Sequence, residues 1–250
     1  MKLLLLGGTA DGRCLAEALH QHNIDVIYSI AGLVRIPQVA CNIVSGGFTQ
    51  FGGLADFIEK EKITAILDAT HPYAQNMSVN AVNAAKACHI PCWRFHRQEW
   101  QVQGGDDWQF VSHWQAALPL LVGKKSVLLS AGQLEQKFID SLGSNSQQQQ
   151  LLRTAVQPKT ILPPTMQWVK AIGPFAYENE FALMQNHKTD VLVSKNSGGD
   201  STVAKLKAAR MLTIPVIMLK RPELPNADTL FFTREACIEF ILNQNNDKKS

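Results

Sequence analysis

The sequence predicts an α/β protein built from two Rossmann-like domains, with parallel sheets and a ligand cleft between them. Short apolar runs that suit buried strands alternate with helical patterns along the 250-residue chain, as in parallel sheets covered by helices. Polar, often glycine-containing loops follow several of these runs, and open α/β sheets bind ligands where strands end. The turn-rich segment 97–107 separates two such series. We therefore predict a first domain at 1–100, a second domain at 101–243 and a flexible tail at 244–250.

In the first domain, the apolar runs predict five strands and the helical patterns predict three helices. The first helix begins near Thr9 or Asp11, either of which would cap it, and carries an i, i+4 apolar stripe that includes Leu15 and Leu19. The strands are predicted at 2–6, 25–30, 38–44, 64–67 and 91–95, and the other two helices at 54–61 and 76–89.

The second domain repeats the alternation. Strands are predicted at 110–111, 125–129, 151–156, 167–172, 190–193 and 215–219. Helices are predicted at 114–121, from about 173 to 187, at 203–212 and at 234–242. The segment 144–150, which contains four glutamines, is predicted to be a solvated loop.

Composition and charge narrow the class of protein. The chain is 46% hydrophobic and 18% charged, as in ordinary globular proteins. The leucine run at 3–6 is too short for a signal-peptide core or a membrane span. The five cysteines form no CxxC pair, which argues against a disulfide framework or a metal site and favours the cytoplasm. A net charge of +3 suits an anionic small ligand but is too weak to indicate nucleic acid.

The loop after the first strand predicts a nucleotide site. Glycines there let backbone N–H groups approach a phosphate at the start of the helix, although the motif is neither GxGxxG nor a P-loop. A simple tight turn is the alternative. The residues predicted to bind cofactor here are Gly7, Gly8, Thr9, Asp11, Gly12 and Arg13.

The end of the second strand predicts which dinucleotide is bound. Ser29 lies there and Arg35 follows, whereas enzymes that prefer NAD usually carry an acidic residue at this place. A hydroxyl and a guanidinium suit a 2′-phosphate, which predicts NADPH. Both could instead be ordinary solvent-facing residues.

A second candidate loop, 68–74, follows the fourth strand. Pro72 restricts the backbone and directs His71 out of the strand end. We expect Thr70, His71 and Pro72 to lie where open α/β sheets bind ligands. The alternative is an ordinary loop in which proline marks the start of a helix.

The strongest feature of the second half is the loop 194–202. Lys195 and Asn196 offer side-chain donors, and the glycines let backbone N–H groups point at an anion. The alternative is a glycine-rich turn beside a solvated basic helix. The residues predicted to bind substrate are Arg94, Arg97, Trp100, Lys195, Asn196, Ser197, Gly198, Gly199 and Lys205. No metal-ligating spacing stands out.

Together these motifs resemble the precorrin-6A reductase family of cobalamin biosynthesis. The matching segments span about residues 3–222, with Gln98 standing where the family usually has proline. They are Gly7-Gly8-Thr9 with Asp11-Gly12-Arg13, Ala31-Gly32 with Val34-Arg35, Gly46-Gly47-Phe48, Asp68-Ala69-Thr70-His71-Pro72-Tyr73-Ala74, Gly173-Pro174-Phe175 and Lys195-Asn196-Ser197-Gly198-Gly199.

The resemblance implies NADPH-dependent reduction of one double bond in a corrin precursor. The macrocycle would lie between two Rossmann-like halves, an NADPH-binding domain at 1–100 and a substrate-binding domain at 101–243, with Thr70, His71 and Pro72 beside the nicotinamide. His71, Tyr73 or Lys195 could supply the proton that accompanies hydride transfer, or water could. Whether the anionic tetrapyrrole carries cobalt, and the oligomeric state, stay open. A generic NADP-dependent reductase of another anionic substrate, or a non-catalytic nucleotide- or tetrapyrrole-binding module, remain alternatives.

Overall fold

Two parallel six-stranded sheets are formed by the residues that the computed structural model describes, 1–31 and 38–247. The first sheet lies in a unit made of Met1–Gln98 and the chain from Pro222 onward, and the second in the unit Glu99–Arg221. Helices alternate with the strands in both units. The predicted α/β class with two Rossmann-like parallel sheets is therefore confirmed.

The elements follow one another in the predicted alternation. The strands are β1 Lys2–Leu6, β2 Asp25–Ile30, β3 Asn42–Ser45, β4 Ala65–Asp68, β5 Cys92–Phe95, β6 Trp108–Val111, β7 Ser126–Ser130, β8 Gln149–Thr154, β9 Met166–Lys170, β10 Val191–Lys195, β11 Val216–Leu219 and β12 Thr229–Phe231. The helices are α1 Ala10–Gln21, α2 Leu54–Glu61, α3 Gln75–Ala87, α4 Gln136–Gly143, α5 Tyr177–Asn186, α6 Ala204–Met211 and α7 Arg234–Asp247. Short 3-10 helices lie at Phe48–Phe51, Trp114–Leu121 and Asp200–Thr202.

The first sheet has the strand order β3-β2-β1-β4-β5-β12. Alternate residues of β1 point to opposite faces. Leu3 and Leu5 pack in a cluster with α1 and α7, whereas Leu4 and Leu6 pack in a cluster with α2 and α3. From β1 the sheet grows in one direction to β2 and β3 and in the other direction to β4 and β5, so the strand order reverses between β1 and β4. The loops that follow these two strands therefore emerge side by side.

The C-terminal segment differs from the domain prediction. Residues 222–243 were assigned to the second domain, but β12 pairs in parallel with β5, and Cys237 and Ile241 of α7 lie in the core of the first unit. The predicted tail at 244–250 is helical as far as Asp247, and the Met1 ammonium donates to Asn245 Oδ1 at 3.1 Å. The second domain therefore ends about twenty residues earlier than predicted.

The second sheet repeats the arrangement with the order β9-β8-β7-β10-β11-β6. Its reversal lies between β7 and β10, so the loops after Ser130 and Lys195 emerge side by side. One face packs against α5 and α6 through a cluster that includes Met184 and Leu206. In this sheet the edge strand β6 precedes the other five strands in sequence. In the first sheet the edge strand β12 follows the other five.

The glutamine-rich segment 144–150 is a solvated loop only in part. Residues 144–147 are exposed, as predicted, whereas Gln148 is buried just before β8 and Gln150 is buried within it. The Gln148 amide donates to the carbonyls of Leu121 and Lys124 at 3.0 and 2.9 Å, and the Gln150 amide donates to the Leu142 carbonyl at 3.3 Å. Leu121 and Leu142 lie at the ends of helices, and the buried side-chain amides add donors to their carbonyls and to the carbonyl of Lys124.

Other differences from the predicted elements are local. The predicted third strand at 38–44 begins only at Asn42, and the predicted helix at 114–121 is a 3-10 helix containing Pro119. Helix α4 and strand β12 were not predicted. None of the helices in the described part of the chain is long and apolar enough to cross a lipid bilayer.

Ile241→Ala tests whether α7 belongs to the first core. Ile241 is fully buried there, so we expect the free energy of unfolding to fall by about 2–5 kcal/mol. The matched control is Leu230→Ala on β12, whose side chain is 46% exposed and should change stability by about 0.5 kcal/mol or less. Equal effects of the two substitutions in urea denaturation would contradict this assignment.

Candidate functional site

The glycine loop after β1 is shaped by close packing. A Cβ on Gly7 would lie 2.0 Å from Cε2 of Tyr28, and Gly8 has a φ of +100°. The Gly8 N–H donates to the Tyr28 hydroxyl at 3.2 Å, and Thr9 caps α1 by accepting from Gly12 N at 2.9 Å. With Thr9 as the cap, the amides of Ala10 and Asp11 have no intrahelical acceptor. The backbone N–H groups left for an anion at the start of α1 are therefore those of Ala10 and Asp11, whereas that of Gly8 is already paired.

The loop after β4 meets this first loop, as the strand order requires. The Thr9 hydroxyl donates to the Ala69 carbonyl at 3.1 Å. A small cleft forms between the two loops and the end of β5. Its lining residues are Thr9, Asp11, Ala69, Thr70, Pro72, Phe95 and Arg97. The structure thus brings together four of the predicted cofactor residues, from two loops about sixty residues apart.

Asp68, which was not among the predicted site residues, holds the second loop in place. Its side chain is 1% exposed, and its carboxylate accepts four hydrogen bonds. Oδ1 accepts from Thr70 N at 3.2 Å and Thr70 Oγ1 at 2.6 Å, while Oδ2 accepts from Ser78 Oγ at 2.7 Å and Arg94 Nε at 3.0 Å. A buried carboxylate is stable when donors fill its acceptor positions, as here.

His71 is exposed just beyond this anchored residue. Its Nδ1 accepts from Tyr73 N at 3.3 Å, and the rings of His71 and Tyr73 lie 5.7 Å apart. An imidazole that accepts at Nδ1 carries its proton on Nε2. His71 therefore points away from the strand end, as the proline predicted, while Pro72 itself is buried.

The two arginines predicted to bind substrate have partners inside the first unit. Arg94 is buried, ion-pairs with Asp68 and donates from Nη1 to the Pro225 carbonyl at 2.7 Å. Arg94 holds Asp68 and so supports the loop 68–74 from inside the protein. We therefore no longer place Arg94 among the substrate-binding residues. Arg97 Nη1 lies 3.0 Å from Asp11 Oδ2. This ion pair balances the charge of Asp11, the acidic residue that lines the cleft.

Of the two residues predicted to select NADPH, Ser29 and Arg35, the structure describes Ser29. Ser29 is buried, and its carbonyl accepts from Gly7 N at 2.8 Å. Arg35 falls outside the described residues. Arg13 lies on the exposed side of α1, where it ion-pairs with Glu17 at 3.3 Å, a surface pair that contributes little to stability.

In the second unit, the loop after β10 is tied to the segment around Trp100. Asn196 is buried, accepts from Trp100 N at 2.9 Å and donates to the Trp100 carbonyl at 3.2 Å. The Trp100 indole donates to the Gly199 carbonyl at 3.1 Å. Gly198 and Gly199 have φ values of +65° and +82°, which suit glycine. These contacts make Asn196, Ser197 and Gly199 part of a rigid turn.

Near this turn lies a buried charge cluster, of which only Lys205 was among the residues predicted from the sequence to bind substrate. It comprises Ser130 at the end of β7, Arg153 on β8, Glu180 on α5 and Lys205 on α6. Arg153 ion-pairs with Glu180 through Nη1 and donates from Nη2 to Ser130 Oγ at 3.0 Å. Lys205 Nζ lies 3.4 Å from the same Oγ and 5.2 Å from the centre of the Trp100 ring.

Lys205 is only 3% exposed, and its surroundings disfavour the charged form. Burial lowers the pKa of Lys205 to about 7, with the positive charges of Arg153 and Lys195 acting in the same direction and Glu180 opposing them. Burial also lowers the pKa of Lys195. Lys205 therefore changes charge near neutral pH.

Substitution of Lys205 should change the pH dependence of stability. The unfolded lysine keeps its proton up to a pKa of about 10.4, so wild-type stability should rise with pH between about 7 and 10. Lys205→Met removes the buried charge and should raise the melting temperature most at pH 7 and below, by about 2–4 °C per kcal/mol of penalty removed. The gain should shrink as pH approaches 10.

Lys207→Met on the exposed side of α6 is the matched control and should show no such trend. Thermal melts of the three proteins from pH 6 to 10 make the comparison. A Lys205→Met effect that is the same at every pH would contradict the assignment.

Metal ligation has no support in residues 1–31 and 38–247, where no grouping of His, Cys, Asp and Glu is suited to hold an ion. Burial raises the pKa of the Cys92 and Cys237 thiols to about 12, so neither is a reactive thiolate at neutral pH.

The sequence and the fold are both similar to those of known proteins of one family. The family described as "Precorrin-6x reductase CbiJ/CobK" matches residues 2–241. A precorrin-6A reductase of Rhodococcus erythropolis is 39% identical over 230 residues, covering 90% of this chain and 91% of that protein. A cobalt-precorrin-6A reductase of Priestia megaterium is 28% identical over 254 residues, covering 97% and 98%.

A solved structure described as "CobK precorrin-6A reductase" superposes with a TM-score of 0.84 at 32% identity, covering 97% of this chain and 96% of that one. Both the sequence match and the structural match extend over nearly the whole chain. The chain therefore belongs to the precorrin-6x reductase family, oxidoreductases that reduce a ring carbon–carbon double bond in cobalamin biosynthesis with a reduced nicotinamide cofactor.

Proposed function

We propose that this protein uses NADPH to reduce precorrin-6A, or its cobalt form, to the dihydro product. The observation that carries the proposal is the cleft of the first unit, where the Gly7–Arg13 loop and the Thr70–Pro72 loop meet at the reversal of strand order. The second unit has a corresponding reversal with buried cationic side chains. The names of the relatives supply the substrate class.

The first unit suits a dinucleotide. The amides of Ala10 and Asp11 at the start of α1 would receive the pyrophosphate, and the Asp11–Arg97 pair keeps the acidic side chain from repelling it. Asp68 fixes Thr70, and with it the direction of the loop that would border the nicotinamide. The bound cofactor supplies the hydride, so the chain needs to contribute mainly position and electrostatics.

NADPH rather than NADH follows from Arg35 and from the lack of an acidic residue at the end of β2. A guanidinium can pair with the 2′-phosphate, which NADH lacks.

The substrate side of the proposal rests on the second unit. Lys195 and the Ser197–Gly199 turn would meet carboxylates of the tetrapyrrole, whereas Asn196 and Trp100 hold that turn in shape. Lys195, His71 and Tyr73 remain the candidates for the proton donor, alongside water. We also predict, from the sequence, a cytoplasmic location and no nucleic-acid partner.

Turnover with purified protein tests the function. Anaerobic mixing with precorrin-6A should consume NADPH, seen as loss of its absorbance, and should consume NADH more slowly. Gly7→Ala should abolish this turnover because the added Cβ displaces Tyr28 from the cofactor loop. Gly104→Ala, where a Cβ meets nothing within 4 Å, is the control.

The result also separates the alternatives. Binding of precorrin-6A without loss of NADPH would indicate a non-catalytic binding module. Consumption of NADPH only with other anions would indicate a different reductase.

His71→Ala tests the role of the loop. If the imidazole supplies the proton, kcat at saturating substrate should fall about 100-fold or more while NADPH affinity stays unchanged. Gln75→Ala, at the exposed start of α3, is the matched control. Full turnover by His71→Ala would make the loop structural and leave Tyr73, Lys195 and water as donors.

A further inference from the structure

The buried charge cluster of the second unit holds one more cationic side chain than carboxylates, and Glu180 Oε2 accepts no hydrogen bond from the described residues. Arg153 and Glu180 neutralise each other, which leaves Lys205 as an additional buried cation. A lysine ammonium has three donors. In the described part of the chain, its one hydrogen-bond partner is Ser130 Oγ, at the long distance of 3.4 Å.

The position of Lys205 adds to this imbalance. It lies in the first turn of α6, where the helix dipole disfavours a positive charge and favours an anion. The indole of Trp100 lies over its ammonium and keeps water away, which strengthens any electrostatic interaction there. Trp100 is itself fixed by Asn196 and Gly199, so this cover is part of the fold.

The Ser130–Lys205 hydrogen bond can run in either direction. When Lys205 is neutral, its lone pair can accept the Ser130 hydroxyl hydrogen. When Lys205 is charged it can only donate, and because Arg153 also donates to Ser130 Oγ, the hydroxyl hydrogen then needs another acceptor. Among the described residues none accepts that hydrogen, so in the charged state the hydroxyl can donate to water or to a ligand. A negatively charged ligand would also compensate the Lys205 ammonium.

Ser130 is in a position to meet such an acceptor. It is the last residue of β7, it is not fully buried, and it borders the reversal of strand order between β7 and β10. Ligands of open α/β sheets bind at this place. A carboxylate there would accept from the Ser130 hydroxyl and face the Lys205 ammonium.

We propose that Ser130, Arg153 and Lys205 form a receptor for one carboxylate of the substrate, and that Lys205 takes up a proton from solvent as this carboxylate binds. The proposal rests on the proposed function, because a tetrapyrrole precursor supplies the carboxylate. Proton uptake would couple substrate binding to pH. The charged groups that act on Lys205 are Arg153 on β8, Glu180 on α5 and Lys195 on β10.

Proton uptake can be measured directly by titration calorimetry of precorrin-6A binding in buffers that differ in ionisation enthalpy. With a free-protein pKa of about 7, wild type should take up about 0.9 of a proton per substrate at pH 8 and about 0.1 at pH 6. Lys205→Arg, which is charged throughout, should bind substrate and lose the uptake. Lys205→Met should lose the uptake and bind about tenfold or more weakly.

Two further variants control for folding and position. Lys207→Met on the exposed face of α6 should keep both affinity and uptake. Ser130→Ala, a small change, should bind more weakly and still take up the proton at Lys205. These variants keep the proposal testable if either Lys205 substitution prevents folding.

The outcomes separate this proposal from the function itself. If wild type reduces precorrin-6A with NADPH but Lys205→Arg shows the same proton uptake as wild type, the receptor is wrong and the function stands. If NADPH alone causes the Lys205-dependent uptake, the anion is a cofactor phosphate and the carboxylate receptor is wrong. If wild type neither binds nor reduces precorrin-6A, both proposals fail.

Discussion

Complete burial of the central strands is the constraint on which the rest of this structure depends. Leu3–Leu6 of β1 and Val127–Leu129 of β7 are screened from water on both faces of their sheets. Parallel strands with both faces covered leave only their ends for polar chemistry. The strand order then reverses once inside each sheet, and the two loops at each reversal are pushed together. Both candidate sites follow from this arrangement, without any catalytic motif of the triad or metal type.

The buried charges beside the reversal of strand order differ between the two sheets. In the first unit, the Asp68 carboxylate has four donors and Arg97 balances Asp11, so the cleft is fixed in shape and close to neutral. In the second unit, the pairing of Arg153 with Glu180 leaves Lys205 without a carboxylate partner in the described residues. A carboxylate whose acceptor positions are filled holds its loop in place, whereas a buried cation without a carboxylate partner favours an incoming anion. The first arrangement suits a cofactor that must be held at one angle, and the second suits a polyanionic substrate.

Local pattern was enough to predict most of the fold. Strand β2 and helix α2 begin and end as predicted, because apolar runs and helical stripes record burial directly. The meeting of the Gly7 and His71 loops could also be predicted, because strand order in such sheets follows general rules. Asp68 lay inside the quoted motif, yet its role was missed because its partners Ser78 and Arg94 are distant in sequence.

Buried polar residues account for most of the errors. Gln148 and Gln150 resemble a solvated run until their helix-end acceptors are known. Arg94 looked accessible because its partners, Asp68 and the Pro225 carbonyl, are not visible in its own segment. Ser130, Arg153 and Glu180 are single polar residues on three separate elements, so nothing in the sequence links them. Burial of a polar group is decided by partners that only the folded chain brings together.

The return of the chain to the first unit connects these observations to function. Strand β6 already occupies the outer position beside β11, so β12 pairs instead with the outer edge of β5, where Asp228 closes the edge by accepting from Cys92 N at 2.7 Å. The same segment places the Pro225 carbonyl against Arg94, and Arg94 holds Asp68, which in turn fixes Thr70. A segment that local pattern assigned to the substrate domain therefore supports the loop proposed to border the nicotinamide. The Arg94–Asp68 bond is buried and the other two are partly buried. Loss of one link leaves a polar group without its partner, so the disturbance would pass to the loop rather than stay at the terminus.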